Sequence, residues 1–221
     1  MMQKLQYEIS EYNAHVLAYP EISNTILTRD EFISDKGNIF YSDLKSEASD
    51  IEFSIEFSGL DDEIRYNRAK VSKMLELATI TFDEEVYYKG RFTEAGVEKR
   101  FYFTVVTYRG SAIACLPTQR YEVKRNNVTE LFNKGDLDTP VRIILEGQGT
   151  DIKITGFEST IEVKELKDRI VIDSEKGLSD PRGFNNIKLF SFPYIQDSRE
   201  IRIYGTGSFK CFIEFEGRVI C

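Results

Sequence analysis

The chain has no tryptophan, a single histidine, three cysteines and five prolines among 221 residues. Each scarcity removes a class of function. With His15 alone, a His-cluster metal site falls away, and any Ser-His-Asp or Cys-His arrangement would hang on one residue in a loop-like N-terminal stretch. A surface position is expected for it. Cys115, Cys211 and Cys221 have no CxxC spacing and cannot all pair within one chain, so they read as plain thiols in a reducing compartment, outside any disulfide framework. Without tryptophan, the best flat platform for a sugar ring is missing. No apolar run approaches the roughly 20 residues of a membrane span, and the opening "MMQKLQYEISEYNAHVLAYP" lacks a signal-peptide core, so synthesis and folding in a cytoplasm are expected. Positive charge is also short: Lys plus Arg is 29 against 37 Asp plus Glu. A net charge of -8 repels phosphate backbones and anionic lipid.

What remains is rich in rings. Hydrophobic residues make up 41% of the chain, with 16 Phe and 12 Tyr, which excludes disorder. The length fits one large domain or two small ones. In "IEFSIEFSG" the apolar residues Ile51, Phe53, Ile55 and Phe57 alternate with Glu52, Ser54 and Glu56, a strand with one wet face. The next stretch places Ile64, Val71, Leu75 and Ala78 in one helical stripe behind a cap at Asp61 or Asp62. Strands are then expected at 79–82, 85–88, 100–108 and 121–124. Phe53, Ile55, Val71, Leu75, Phe101 and Phe103 are the expected core of this half.

The run "RNNVTELFNKGDLDT" is poor in branched apolar residues and reads as a border between packed units. Domains of 1–134 and 135–221 follow. Beyond the border come seven short strand patterns, at 141–145, 152–155, 159–163, 169–173, 187–189, 200–204 and 209–215. No helix interrupts them, which argues for an antiparallel sandwich. The fold class is therefore mainly β with one helix. The pairs Gly147/Gly149 and Gly205/Gly207 begin a GxG but precede strands, so they read as hairpin turns and not as a dinucleotide site. Asp61-Asp62-Glu63 and Glu84-Glu85 read as helix-end or turn acids. Asp136 and Asp138 lack the glycine and distant glutamate of a calcium loop. The Asn127-Val128-Thr129 sequon has no meaning without secretion. Tyr108, Tyr121, Tyr194 and Tyr204 are the aromatics left for a sugar site, and at strand spacing they read as wall or core residues. No catalytic, cofactor-binding or metal residue is expected, and the chain reads as no enzyme.

Several stretches together carry a family resemblance. They are the helix "RYNRAKVSKMLELA", the following "ITFDEEVYYKGRFTEAG", the strand "KRFYFTVVTYRG", its successor "QRYEVKR" and the ending "NNIKLFSFPYIQDSREIRIYGTGSFKCFIEFEGRVI". In order and turn spacing they resemble the distal tail proteins of long, flexible-tailed (siphovirus) bacteriophages, from about Ile51 to Ile220. The first fifty residues match poorly, and no inserted carbohydrate-binding module is present. The resemblance implies an N-terminal β domain that builds a hexameric ring, single or stacked, continuing the tail tube. It also implies a C-terminal galectin-like antiparallel β-sandwich. Implied partners are the major tail protein, a tail hub or tail-associated lysin, and receptor-binding proteins, at the virion tail tip. The reading from a different class is a soluble carbohydrate-binding β-sandwich module.

Overall fold

Alternation alone fixes the first long strand, and the structure builds outward from it. The computed structural model describes residues 5, 8–23, 27–28, 31–33, 39–41, 45–46, 48–82 and 85–220. It divides into two compact units, one reaching to Cys115 and the other spanning Leu116–Val219.

The first unit contains β1 (Ala14–Val16), β2 (Glu21–Ile22), β3 (Leu27–Thr28), β4 (Glu31–Ile33), β5 (Ile39–Tyr41), β6 (Lys45–Ser46) and β7 (Ser49–Ser58). There follow helix α1 (Asp61–Leu75), β8 (Ala78–Thr81), β9 (Tyr87–Arg100) and β10 (Phe103–Cys115). Its main sheet runs β1-β7-β10-β9-β8, with β2 also on β7, while β3 pairs β6 and β4 pairs β5 separately. In β7 each of Ile51, Phe53, Ile55 and Phe57 is buried, as the alternation requires. α1 presents Ile64, Val71 and Leu75 inward. Ala78, expected on the same stripe, instead opens β8. The helix cap also differs from expectation. Leu60 occupies it and donates its N–H to Glu63 Oε2 at 3.1 Å, so Asp61, Asp62 and Glu63 form an acidic first turn at the positive end of the helix dipole. Around Phe53 the rings of Phe82, Phe92 and Tyr108 lie at 5.5, 5.4 and 5.8 Å between centroids. Each such fully buried ring contributes up to about 3 kcal/mol.

Phe101 and Phe103 do not join this core. Phe101 is 94% exposed at the turn between β9 and β10, and Phe103 is half-buried. In "FYFTVVTY" both alternating sets are apolar, and the set that faces the core is Thr104, Val106 and Tyr108. A strand with two apolar faces leaves its parity open, and the pairing with β7 decides it.

The second unit holds β11 (Gln119–Val123), β12 (Val128–Phe132), β13 (Thr139–Thr155), β14 (Ile161–Leu166), β15 (Arg169–Asp173), β16 (Gly177–Leu178), a 3-10 turn at Gly183–Asn185, β17 (Ile187–Lys188), β18 (Tyr194–Ile195) and β19 (Ser198–Phe215). Every pairing is antiparallel. β13 and β19 are two continuous strands that lie against each other along almost their whole length. One half of this pair extends through β11 on one side and β15 with β16 on the other, and the other half through β12 and β14 with β17. Inward side chains of both halves, among them Ile143, Leu145, Ile152, Ile154, Ile203 and Ile213, share one core. This is a sandwich whose layers are joined by strands that pass from one into the other.

Two expectations need correction here. The glycine pairs are not hairpin turns: Gly149 stands opposite Gly207 and Gly147 opposite Phe209, inside the β13–β19 ladder. Gly147 and Gly207 have φ of 118° and 106°, and a Cβ on Gly207 would come 2.4 Å from the Gln148 carbonyl oxygen. Glycine is needed because both strands bend and approach closely at this point. The border also moves from 134/135 to 115/116. β11 and β12 pair with β19 at Gln119↔Phe215 and Val128↔Arg202, so the polar run between them belongs inside the second unit.

Candidate functional site

The residues singled out from the sequence do not converge. His15 sits on β1 with its Nε2 3.5 Å from Glu56 Oε1, a half-exposed cross-strand pair. Asp61 to Glu63 form the first helical turn, and Glu84 lies outside the described residues. Asp136 and Asp138 belong to a loop knitted by Asn133, whose buried Nδ2 donates to the carbonyl oxygens of Leu137 and Gln196 at 3.1 and 2.8 Å. Cys115 and Cys211 are buried, and burial pushes the Cys211 thiol up to about 12, which keeps it protonated and unreactive. Cys221 lies outside the described residues. Asn127 lies in the exposed turn before β12. Tyr108 is wholly buried and Tyr121 stacks on Phe215 at 5.7 Å, whereas Tyr194 and Tyr204 are exposed. Among the described residues no three His, Cys, Asp or Glu side chains gather as a metal site. No helix of the described residues is long and apolar enough to cross a membrane.

Surfaces, by contrast, are well defined. In the first unit β8 covers β9 only from Tyr87 to Gly90. From Arg91 to Arg100 the outer edge of β9 has no strand partner among the described residues, which leaves a row of N–H and C=O groups open to another chain. At its far end the turn carries Phe101 and Tyr102, 94% and 75% exposed, with their rings in edge contact at 5.4 Å. The base of this hairpin is locked to α1. Arg68 holds Glu94 through two donors, Nε at 2.8 Å, and Ser72 Oγ donates to the same carboxylate at 2.6 Å while bonding Tyr108 Oη at 2.9 Å. The Arg68 hydrogen bond holds the Glu94 carboxyl below its ordinary range, and burial pushes the Tyr108 phenol up to about 12. A stiff base thus carries an open edge and an apolar tip.

In the second unit Phe184, in the 3-10 turn of the loop after β16, and Phe190, just past β17, are exposed, the latter 98%. A buried polar cluster fixes the loop. Asp180 accepts from Arg182 and from Asn186, and Arg182 reaches Glu165 Oε2 on β14 at 2.7 Å. Burial works to raise the Asp180 carboxyl, but these donors outweigh it and hold it below its ordinary value. Sequence reading missed both Phe residues and the hairpin tip. The available signal at Phe184 was an aromatic in a polar run with no periodic partner, "RGFNN", whereas at "KRFYF" the doubled apolar pattern concealed the exposed tip.

No family model matches the chain, and no curated protein does either. Solved structures are similar. The crystal structure of the Dit protein of phage SPP1, described as a paradigm of the hub adsorption apparatus in phages that infect Gram-positive bacteria, superposes with a TM-score of 0.59 at 13% identity, over 95% of each chain. Chains of the phage P2 baseplate in its activated conformation give 0.51 with calcium and 0.52 with strontium, both at 10% identity and over 93% of this chain and 91% of theirs. The chain therefore has, across both of its units, the fold of a phage distal tail hub protein.

Proposed function

We propose that this chain is a non-enzymatic structural component of a phage tail tip. In this reading it forms a hexameric ring that joins the tail tube to the baseplate or host-adhesion apparatus. The observation that carries the reading is the likeness to the SPP1 hub protein over 95% of both chains, which spans the two units and not one common β domain. The open β9 edge and the Phe101–Tyr102 tip support self-assembly by the first unit, because edge pairing between copies satisfies the backbone groups that the lone unit leaves exposed. The second unit, a sandwich of the galectin-like kind, presents its fixed aromatic loop to neighbours. Those neighbours are the major tail protein, a tail hub or tail-associated lysin, and receptor-binding proteins. Solution mass tests the assignment: six times the 25.6 kDa chain mass, or twelve for stacked rings, is expected. A chain that stays at 25.6 kDa at high micromolar concentration favours the soluble carbohydrate-binding module instead.

A further inference from the structure

The outer face of the β11–β19–β13–β15 layer is striped. Across the middle run the apolar residues Phe212, Ile144 and Val171, opposite one another on three neighbouring strands. On one side lies a charge ladder in which Arg120 contacts Glu214 at 3.1 Å and Arg142 stands between Glu214 and Asp173. On the other side Glu146 faces Arg169. Where the stripes reach β15 a groove of about 360 Å³ opens, lined by Arg142, Arg169, Lys176 and Asp173 with the buried Val171 beneath them and with Leu178, which also packs against the core. Its volume is within the range of sites that take small ligands and side chains.

The guanidinium groups of the groove are ion-paired but make no hydrogen bonds among the described residues. Arg142 is 3.7 Å from Asp173 and 3.6 Å from Glu214, both too long for hydrogen bonds, and Glu214 is nearer to Arg120. Asp173 directs Oδ1 to the backbone N–H groups of Glu175 and Lys176 at 2.9 and 3.1 Å, which ties it to its own turn. Among the described residues Arg169 has one carboxylate beside it, Glu146 at 3.3 Å, and Lys176 is exposed. A guanidinium carries five donors in a planar fork suited to a carboxylate, and neither fork makes a hydrogen bond to the carboxylates beside it. The second unit as a whole is nearly neutral, with 16 basic and 17 acidic residues in 116–219. The cations therefore act locally and do not draw in long polyanions.

We propose that this groove docks an extended acidic peptide segment of a partner protein, with an apolar side chain over Val171 and a carboxylate on either side of it. The spacing fits such a segment. On β15, Arg169, Val171 and Asp173 share one face, with Arg142 opposite Asp173, so charge, apolar floor and charge recur every second residue. An extended peptide of the form Glu-Xaa-Val-Xaa-Glu repeats with the same period, about 6.6 Å between alternate residues. Inorganic phosphate would leave the apolar floor unused.

The test uses the full chain and a fluorescein-labelled peptide of that form, read by anisotropy at low and high salt. Binding is expected at low salt and should weaken as salt rises. The Arg142→Gln/Arg169→Gln variant, which keeps most of each side-chain stem, should lose about fivefold in affinity, the change expected for two exposed ion pairs. Lys167→Gln, outside the groove, should bind as the parent does. The proposal is overturned if the Gln-Xaa-Val-Xaa-Gln peptide binds equally well, if the double variant binds unchanged, or if inorganic phosphate at equal charge displaces the peptide as well as unlabelled peptide does. The groove is present in a single copy of the chain, so these outcomes do not depend on ring assembly.

Discussion

At the residue scale, burial and not aromatic character decides what a side chain contributes. Phe53 is 3% exposed inside a cage of three rings, and Phe101 is 94% exposed at a turn. Truncating Phe53 to Ala should cost about 3 to 5 kcal/mol, because the cavity cannot close around it. The same change at Phe101 should stay within about 0.5 kcal/mol. Chemical denaturation of the two variants checks the contrast, and similar losses would contradict the assigned parity of β10. Titration gives a second residue-scale prediction with opposite signs at the two ends of the pH range. Asp180 has a carboxyl lowered in the fold, so its contribution is present above the ordinary value of 3.8 and is lost as pH falls below it. Tyr108 has a phenol raised from 10.0 to about 12, so its contribution is complete below pH 10 and is lost between about 10 and 12. Thermal melts across pH should decline at both ends, and Tyr108→Phe should flatten the alkaline decline while Asp180→Asn flattens the acidic one.

At the element scale, the sequence was readable wherever one face of an element is wet. β7 announces itself because Glu52, Ser54 and Glu56 mark the outer face, and α1 because its charged residues leave one apolar stripe. The reading lapsed where a local pattern has two physical solutions. A glycine pair between apolar runs fits either a tight turn or a close crossing of long strands, and only the partner strand distinguishes them. β13 and β19 therefore looked like four short strands. The edge strand β12 was hidden because its wet positions make a polar run, which reads as a linker until Leu131 is found buried in the shared core. The open β9 edge was the least legible feature, since an open backbone edge has no side-chain signature. The border makes a prediction at this scale. A fragment of Leu116–Val219 keeps β11 and β12 on β19 and should fold alone with a cooperative melt. A fragment beginning at Asp138 lacks both strands, exposes the flank of β19, and should melt without cooperativity or aggregate. Equal melts for the two would restore the border to the polar run.

At the scale of the whole molecule, the proposed function assigns assembly to the first unit and presentation to the second. The charge does the same: the first 115 residues carry 13 basic and 20 acidic side chains, so most of the net charge of -8 belongs to the unit proposed to assemble. Like-charged copies repel at long range, and assembly must then be driven by short-range contacts that outweigh this. An unpaired β9 edge supplies backbone hydrogen bonds, and the tip aromatics supply apolar burial worth up to about 3 kcal/mol for each ring fully covered. Two consequences are measurable. Raising the salt should strengthen the proposed ring by screening the repulsion, whereas assembly held by ion pairs would weaken. Replacing Phe101 and Tyr102 with Ser should shift the solution mass to that of the 25.6 kDa chain without lowering the melting temperature by more than about 2 °C, because neither ring belongs to the core of its own copy. If the double variant keeps the parent mass at every concentration, the hairpin tip is not part of the contact between copies, and the interface must be sought on another face of the first unit.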